Sequence, residues 1–72
     1  MIYLERHDPA RNMARYYCLT VESNLFGEFS LVRTWGLIGK PSRTKIELHT
    51  TEQDAQVAVA RKVQQKQRKG YA

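Results

Sequence analysis

The chain has 72 residues and a formal net charge of +5. A domain of this size buries only about 60–65% of the surface its unfolded chain exposes, which leaves little volume for a deep catalytic pocket. One cysteine, Cys18, excludes an internal disulfide, and two histidines without further thiols exclude a zinc cluster. Ile2–Arg6 reads as a short first strand with Ile2 and Leu4 on one face. Pro9 cannot donate to a ladder and disfavours the helical region for Asp8, so Asp8–Asn12 reads as a turn or one loose helical turn. Arg15–Glu22 is the clearest strand, with Tyr17, Leu19 and Val21 facing one way and Tyr16, Cys18 and Thr20 the other. Cys18 reads as a small buried hydrophobe. A connection follows from Ser23 to Gly27, in which Leu25 and Phe26 are expected to fold back onto the core.

Glu28–Trp35 forms the next strand, and Phe29, Leu31, Arg33 and Trp35 share a face that is not wholly apolar. Gly36, Gly39 and Pro41-Ser42 mark a turn-rich connection, in which both glycines are read as supplying turns that need positive φ. Thr44–His49 alternates, with Thr44, Ile46 and Leu48 expected to face the core and Lys45, Glu47 and His49 the solvent. Thr50 or Thr51 caps a helix that runs to about Lys69, with Gln53 at capping-box spacing from Thr50 and Asp54 near the positive end. Ala55, Ala58, Val59, Lys62 and Val63 make a small stripe, and Lys62 is expected to lay its stem on the core. Gly70 suits the C-terminal cap, with Tyr71 packing back on the last turn. The order predicts an α+β fold: a small antiparallel sheet of about four strands packed with one long C-terminal helix, a single domain over residues 1–72.

The charge is unevenly spread. Residues 1–30 carry four acids and three arginines, a net of −1, whereas residues 31–72 carry three acids against nine lysines and arginines, a net of +6. The basic half is the one suited to a polyanion. Arg33, Lys40, Arg43 and Lys45 cluster in sequence around Trp35 and Gly36. Brought together, they would form a phosphate-binding patch around an indole able to stack on a base or sugar. The competing reading makes Trp35 a core residue and the cations a solvated face. Arg11, Asn12 and Arg15 form a second polar set, although Asn12 can equally close its own turn. Arg61, Lys62, Lys66, Arg68 and Lys69 crowd the helix C-terminus, where the helix dipole alone accounts for them. His7 and His49 have no ligand-spaced partners, and no nucleophile, base or acid pair suggests catalysis. No run approaches 18 apolar residues, and the N-terminus has no basic region followed by an apolar run. The expectation is a cytoplasmic monomer without metal or cofactor, and not an enzyme.

Three stretches carry a resemblance. They are Asp8-Pro9-Ala10-Arg11-Asn12-Met13-Ala14-Arg15-Tyr16-Tyr17, then Leu31-Val32-Arg33-Thr34-Trp35-Gly36-Leu37-Ile38-Gly39, and the helix end Lys66-Gln67-Arg68-Lys69-Gly70-Tyr71. In this order and spacing they resemble the WGR family, named for its Trp-Gly-Arg triplet, and look closest to short, stand-alone bacterial members. The resemblance implies a small antiparallel sheet packed with one long helix. It also implies nucleic-acid binding, as WGR domains bind DNA near strand breaks within eukaryotic poly(ADP-ribose) polymerases. The family also occurs in bacterial proteins that include candidate molybdate-metabolism regulators. Leu37 stands where the family has arginine, so position 37 cannot carry the family's contact by charge. The candidate nucleic-acid contact is Trp35, Arg33, Lys40 and Arg43, assisted by Arg11 and Asn12. Shape or end recognition of DNA is expected, because no helix presents base-reading residues on one basic face. The alternative is a protein-interaction module using an apolar patch of Trp35, Leu37 and Ile38.

Overall fold

The structure, a computed structural model, describes residues 1–72. Four strands precede one helix: β1 (Ile2–Asp8), β2 (Met13–Ser23), β3 (Phe29–Leu37), β4 (Arg43–His49) and α1 (Glu52–Arg68). The strands form one antiparallel sheet in chain order. This is the α+β arrangement that the alternation and the helix signals predict. No helix is long and apolar enough to cross a membrane.

The strands run further toward the turns than their apolar residues suggest. Asp8 pairs with Met13, so only a 3₁₀ turn, Pro9–Arg11, and Asn12 separate β1 from β2. Asn12 takes the left-handed conformation at φ 50 and its N–H donates to the Pro9 carbonyl at 3.2 Å. Asparagine is among the few residues that visit this region at low cost. β3 continues through Gly36 to Leu37, which pair with Tyr16 and Arg15. Gly36 is therefore a strand residue without positive φ, and the turn reading holds for Gly39 alone, at φ 84. Gly39 sits third in a turn closed by the Lys40 N–H donating to the Leu37 carbonyl.

The core is one thin layer between sheet and helix. Leu4, Tyr17, Leu19 and Leu31 from the sheet meet Ala55, Val59 and Tyr71. Ala55 and Val59 stand one turn apart, and their small size lets α1 lie close to the strands. Thr51 is the helix cap: its Oγ1 accepts from the Asp54 N–H at 3.1 Å. The other end closes in a Schellman arrangement, with the Gly70 N–H on the Gln67 carbonyl and the Tyr71 N–H on the Lys66 carbonyl. Gly70, at φ 96, makes the reversal that returns Tyr71 to the core. Ala72 then exchanges two backbone hydrogen bonds, both 2.9 Å, with Glu5 on the outer edge of β1.

Further expectations are overturned. Leu25 and Phe26 do not fold back; both are exposed at the tip of the β2–β3 hairpin. Asn24 fixes that tip, since its Oδ1 accepts from the Phe26 and Glu28 N–H groups at 2.9 and 3.0 Å. The faces of β4 are also reversed. Ile46 and Leu48 are 60% and 58% exposed. Residues opposite one another in an antiparallel ladder share a face. Glu47 lies opposite buried Leu31, so Lys45, Glu47 and His49 must face the helix side. Lys62 meets them there: its stem is mostly covered and its Nζ lies 3.2 Å from Glu47 Oε1. His49 bonds the other Glu47 oxygen at 2.9 Å. Those contacts, His49 foremost, hold the Glu47 carboxyl below its ordinary range. Cys18 sits half-buried on the uncovered face of the sheet.

Candidate functional site

Strand pairing and the helix end together build a cleft on the helix side of the sheet. Trp35, Gly36 and Leu37 enter from the end of β3, with Lys40, Pro41 and Arg43 from the connection and the start of β4. Arg15 enters from β2, directly across from Leu37. Lys66 and Tyr71 close the wall from the C-terminal end of α1. The cleft has a volume of about 510 Å³, and no carboxylate lines it.

Trp35 is half-buried: part of the indole packs on the core and part borders the cleft. The Arg33 guanidinium lies 5.3 Å from the indole centre, within cation–π range. Lys66 Nζ lies 4.8 Å from the Tyr17 ring and 5.2 Å from the Tyr71 ring. These two rings meet edge to face, 6.3 Å between centres. Burial first, then the charges of Lys69, Arg33 and Arg15, push the Lys66 amine below its ordinary pKa.

Of the residues singled out from the sequence, Trp35, Lys40 and Arg43 line this cleft. Arg33 does not line it and stands against Trp35, opposite Lys45 and Leu19 in the sheet. Arg11 and Asn12 border a neighbouring shallow depression of about 270 Å³ that shares Arg15, Leu37 and Lys40 with the cleft. The Arg11 guanidinium is 3.6 Å from Asp8, and Asn12 serves its turn. Leu37 and Ile38, 40% and 44% exposed, both border this depression. Arg15, Lys66 and Tyr71 complete the cleft but were absent from the expected contact. Lys66 follows Ala55, Val59 and Lys62 at helical spacing, so the inward stripe already pointed to it.

Fold and site together define a small α+β domain with a cationic, aromatic-lined cleft where sheet and helix end meet. The chain belongs to the WGR domain family, whose profile matches residues 1–72. It is similar to the uncharacterized protein y4dW of Sinorhizobium fredii, at 43% identity over 70 residues. That match covers 97% of this chain but spans only about a third, 34%, of the length of the relative. No solved structure gives a significant match.

Proposed function

We propose that this domain is a nucleic-acid-binding module whose ligand is DNA, held by shape or at an end and not by base sequence. The observation that carries the proposal is the cleft: Arg15, Lys40, Arg43 and Lys66 surround Trp35 and Tyr71 with no acid among them. Such a surface suits a sugar–phosphate backbone, with cations on phosphate oxygens and the indole edge against a sugar or base. Membership of the WGR family supports the same reading. Cations and aromatic rings hold and stack, so the domain acts by binding and not by chemistry of its own.

With four cations in the cleft, the logarithm of affinity should fall against log salt with a slope of about −3 to −4. Between about 50 and 200 mM salt the loss is then roughly hundredfold. Fluorescence anisotropy with blunt, nicked and single-stranded oligonucleotides at both salt concentrations measures it. Absence of binding to all three at about 50 mM salt would remove DNA as the ligand.

The exposed Leu37 and Ile38 beside the cleft favour a second reading, a protein-interaction patch with Trp35. Leu37→Arg separates the two. It adds a cation across from Arg15 and should tighten DNA binding by about three- to tenfold. A patch for a protein partner would instead lose its apolar centre, and DNA affinity would not move.

A further inference from the structure

The two outer edges of the sheet are finished differently. On β1, Ala72 exchanges a reciprocal pair of backbone bonds with Glu5. On β4 nothing comparable occurs: no backbone bond outside the sheet ladder reaches residues 43–49. β4 is regular over seven residues, without proline or glycine, and pairs with β3 from Arg43 to His49. Its Ile46 and Leu48 are exposed on the uncovered face. A bare, regular edge with apolar side chains is a template for another strand.

The order of charges along β4 selects the strand. Opposite residues of a ladder share a face, so a two-fold axis between two copies of one strand must pass through a residue. Centred on Lys45, the pairing gains Arg43 against Glu47 but sets Lys45 against Lys45. Centred on Glu47, it sets carboxylate against carboxylate. Centred on Ile46, it places Ile46 against Ile46, Thr44 against Leu48, and Lys45 against Glu47 twice. Centred on Thr44, it sets Arg43 against Lys45 twice; centred on Leu48, it pairs only residues 47–49 of the strand. The Ile46 axis alone pairs all seven residues of β4 without setting two acids, or two Lys or Arg side chains, directly opposite, where like charges are destabilising. Lys45 makes no ion pair within the chain. An edge lysine ordinarily repels an incoming strand; here the glutamate two residues on neutralises it in this one register.

We propose that β4 is a self-association edge, through which two copies pair antiparallel about an axis at Ile46 to form a continuous eight-stranded sheet. The axis runs normal to the sheet, so both helices and both basic clefts lie on the same face. Two clefts on one face can engage one polyanion together and raise its effective concentration at the second site. The pairing itself does not depend on the nucleic-acid reading. A seven-residue edge is a small contact, so the dimer should be weak, with a dissociation constant on the order of 100 µM.

Sedimentation equilibrium of the 72-residue chain without DNA, from about 10 µM to about 1 mM, tests it. A concentration-dependent dimer is expected. Lys45→Glu and Glu47→Lys each create two like-charge pairs and should weaken it about tenfold, while the double exchange restores it to within about threefold. Because Glu47→Lys also breaks the contact with Lys62, a second measurement uses Cys18→Ser with Ile46→Cys. Directly opposed positions have the spacing a disulfide needs, so mild oxidation should join the native dimer. The same change at Leu48 should not. A chain that stays monomeric at about 1 mM overturns the proposal. So does a dimer indifferent to both charge reversals, or one linked as readily through position 48 as through position 46. DNA binding by a strictly monomeric chain would sink this edge and leave the cleft standing.

Discussion

Leu31→Ala is expected to lower the thermal midpoint by roughly 10–25 °C. Leu31 is fully buried, at the centre of the contact between β3 and the helix. Only seven residues of the chain are buried, so few neighbours can close the cavity. Leu-to-Ala changes in such sites cost about 2–5 kcal/mol. A domain of this size has a total stability near the low end of about 5–15 kcal/mol. A large share of the molecules should therefore be unfolded well below the wild-type midpoint. Leu48→Ala is the matched control, since Leu48 is exposed on the uncovered face of β4. It should change stability by no more than about 0.5 kcal/mol. Circular dichroism melts of the two variants decide the matter. Equal losses, or a larger loss at Leu48, would put the apolar face of β4 inward after all.

The fold was legible wherever a local signal and the tertiary arrangement agreed. Alternation in Tyr17–Leu19–Val21 names the inward face of β2, and the structure buries Tyr17 and Leu19. Gly70 followed by Tyr71 announces the helix end, and the structure completes it with two capping bonds. Alternation in β4 is just as clean but misleads, because a period of two defines two faces without saying which is covered. The decision lies in the β3 register and in Lys62, which can neutralise Glu47 only from the helix side. Leu25 and Phe26 mislead for a similar reason. Their apolar character argues for burial, while the Asn24 side chain fixes a tight tip that points them outward.

The candidate site was legible in its sequence-local half. Trp35, Lys40 and Arg43 lie within nine residues of each other and line one cleft. Arg15 and Lys66 reach it only through the pairing of β2 with β3 and the seating of α1. The helix dipole is a sufficient account of Lys66, which hides its place in the cleft wall. Arg33 shows the opposite effect. It is two residues from Trp35 on the same face, yet its guanidinium stands against the indole and does not line the cleft.

Lys66 is where binding and stability are expected to part. Burial first, and then the neighbouring cations Lys69, Arg33 and Arg15, disfavour its charge. Its folded pKa lies below the unfolded value, so its charge costs the folded state wherever the amine is protonated, including neutral pH. That cost fades as pH rises through the folded pKa and is gone above the unfolded one. Lys66→Met removes the charged Nζ that lies over Tyr17 and Tyr71 and leaves an unbranched side chain whose sulfur can pack on the same rings. Stability at neutral pH should hold or rise, and the gain over wild type should shrink in alkaline buffer. DNA affinity should fall about tenfold, and the salt slope should drop by about 0.9, the signature of one lost phosphate contact. Lys66→Glu goes further, because its carboxylate would engage Arg15 or Arg33 and fill the cleft from within. Affinity should then drop about a hundredfold or more at about 50 mM salt, while the fold stays intact. Melting curves and anisotropy titrations on the same samples read both quantities. Unchanged affinity and salt slope in Lys66→Met would show that DNA is bound elsewhere on the domain.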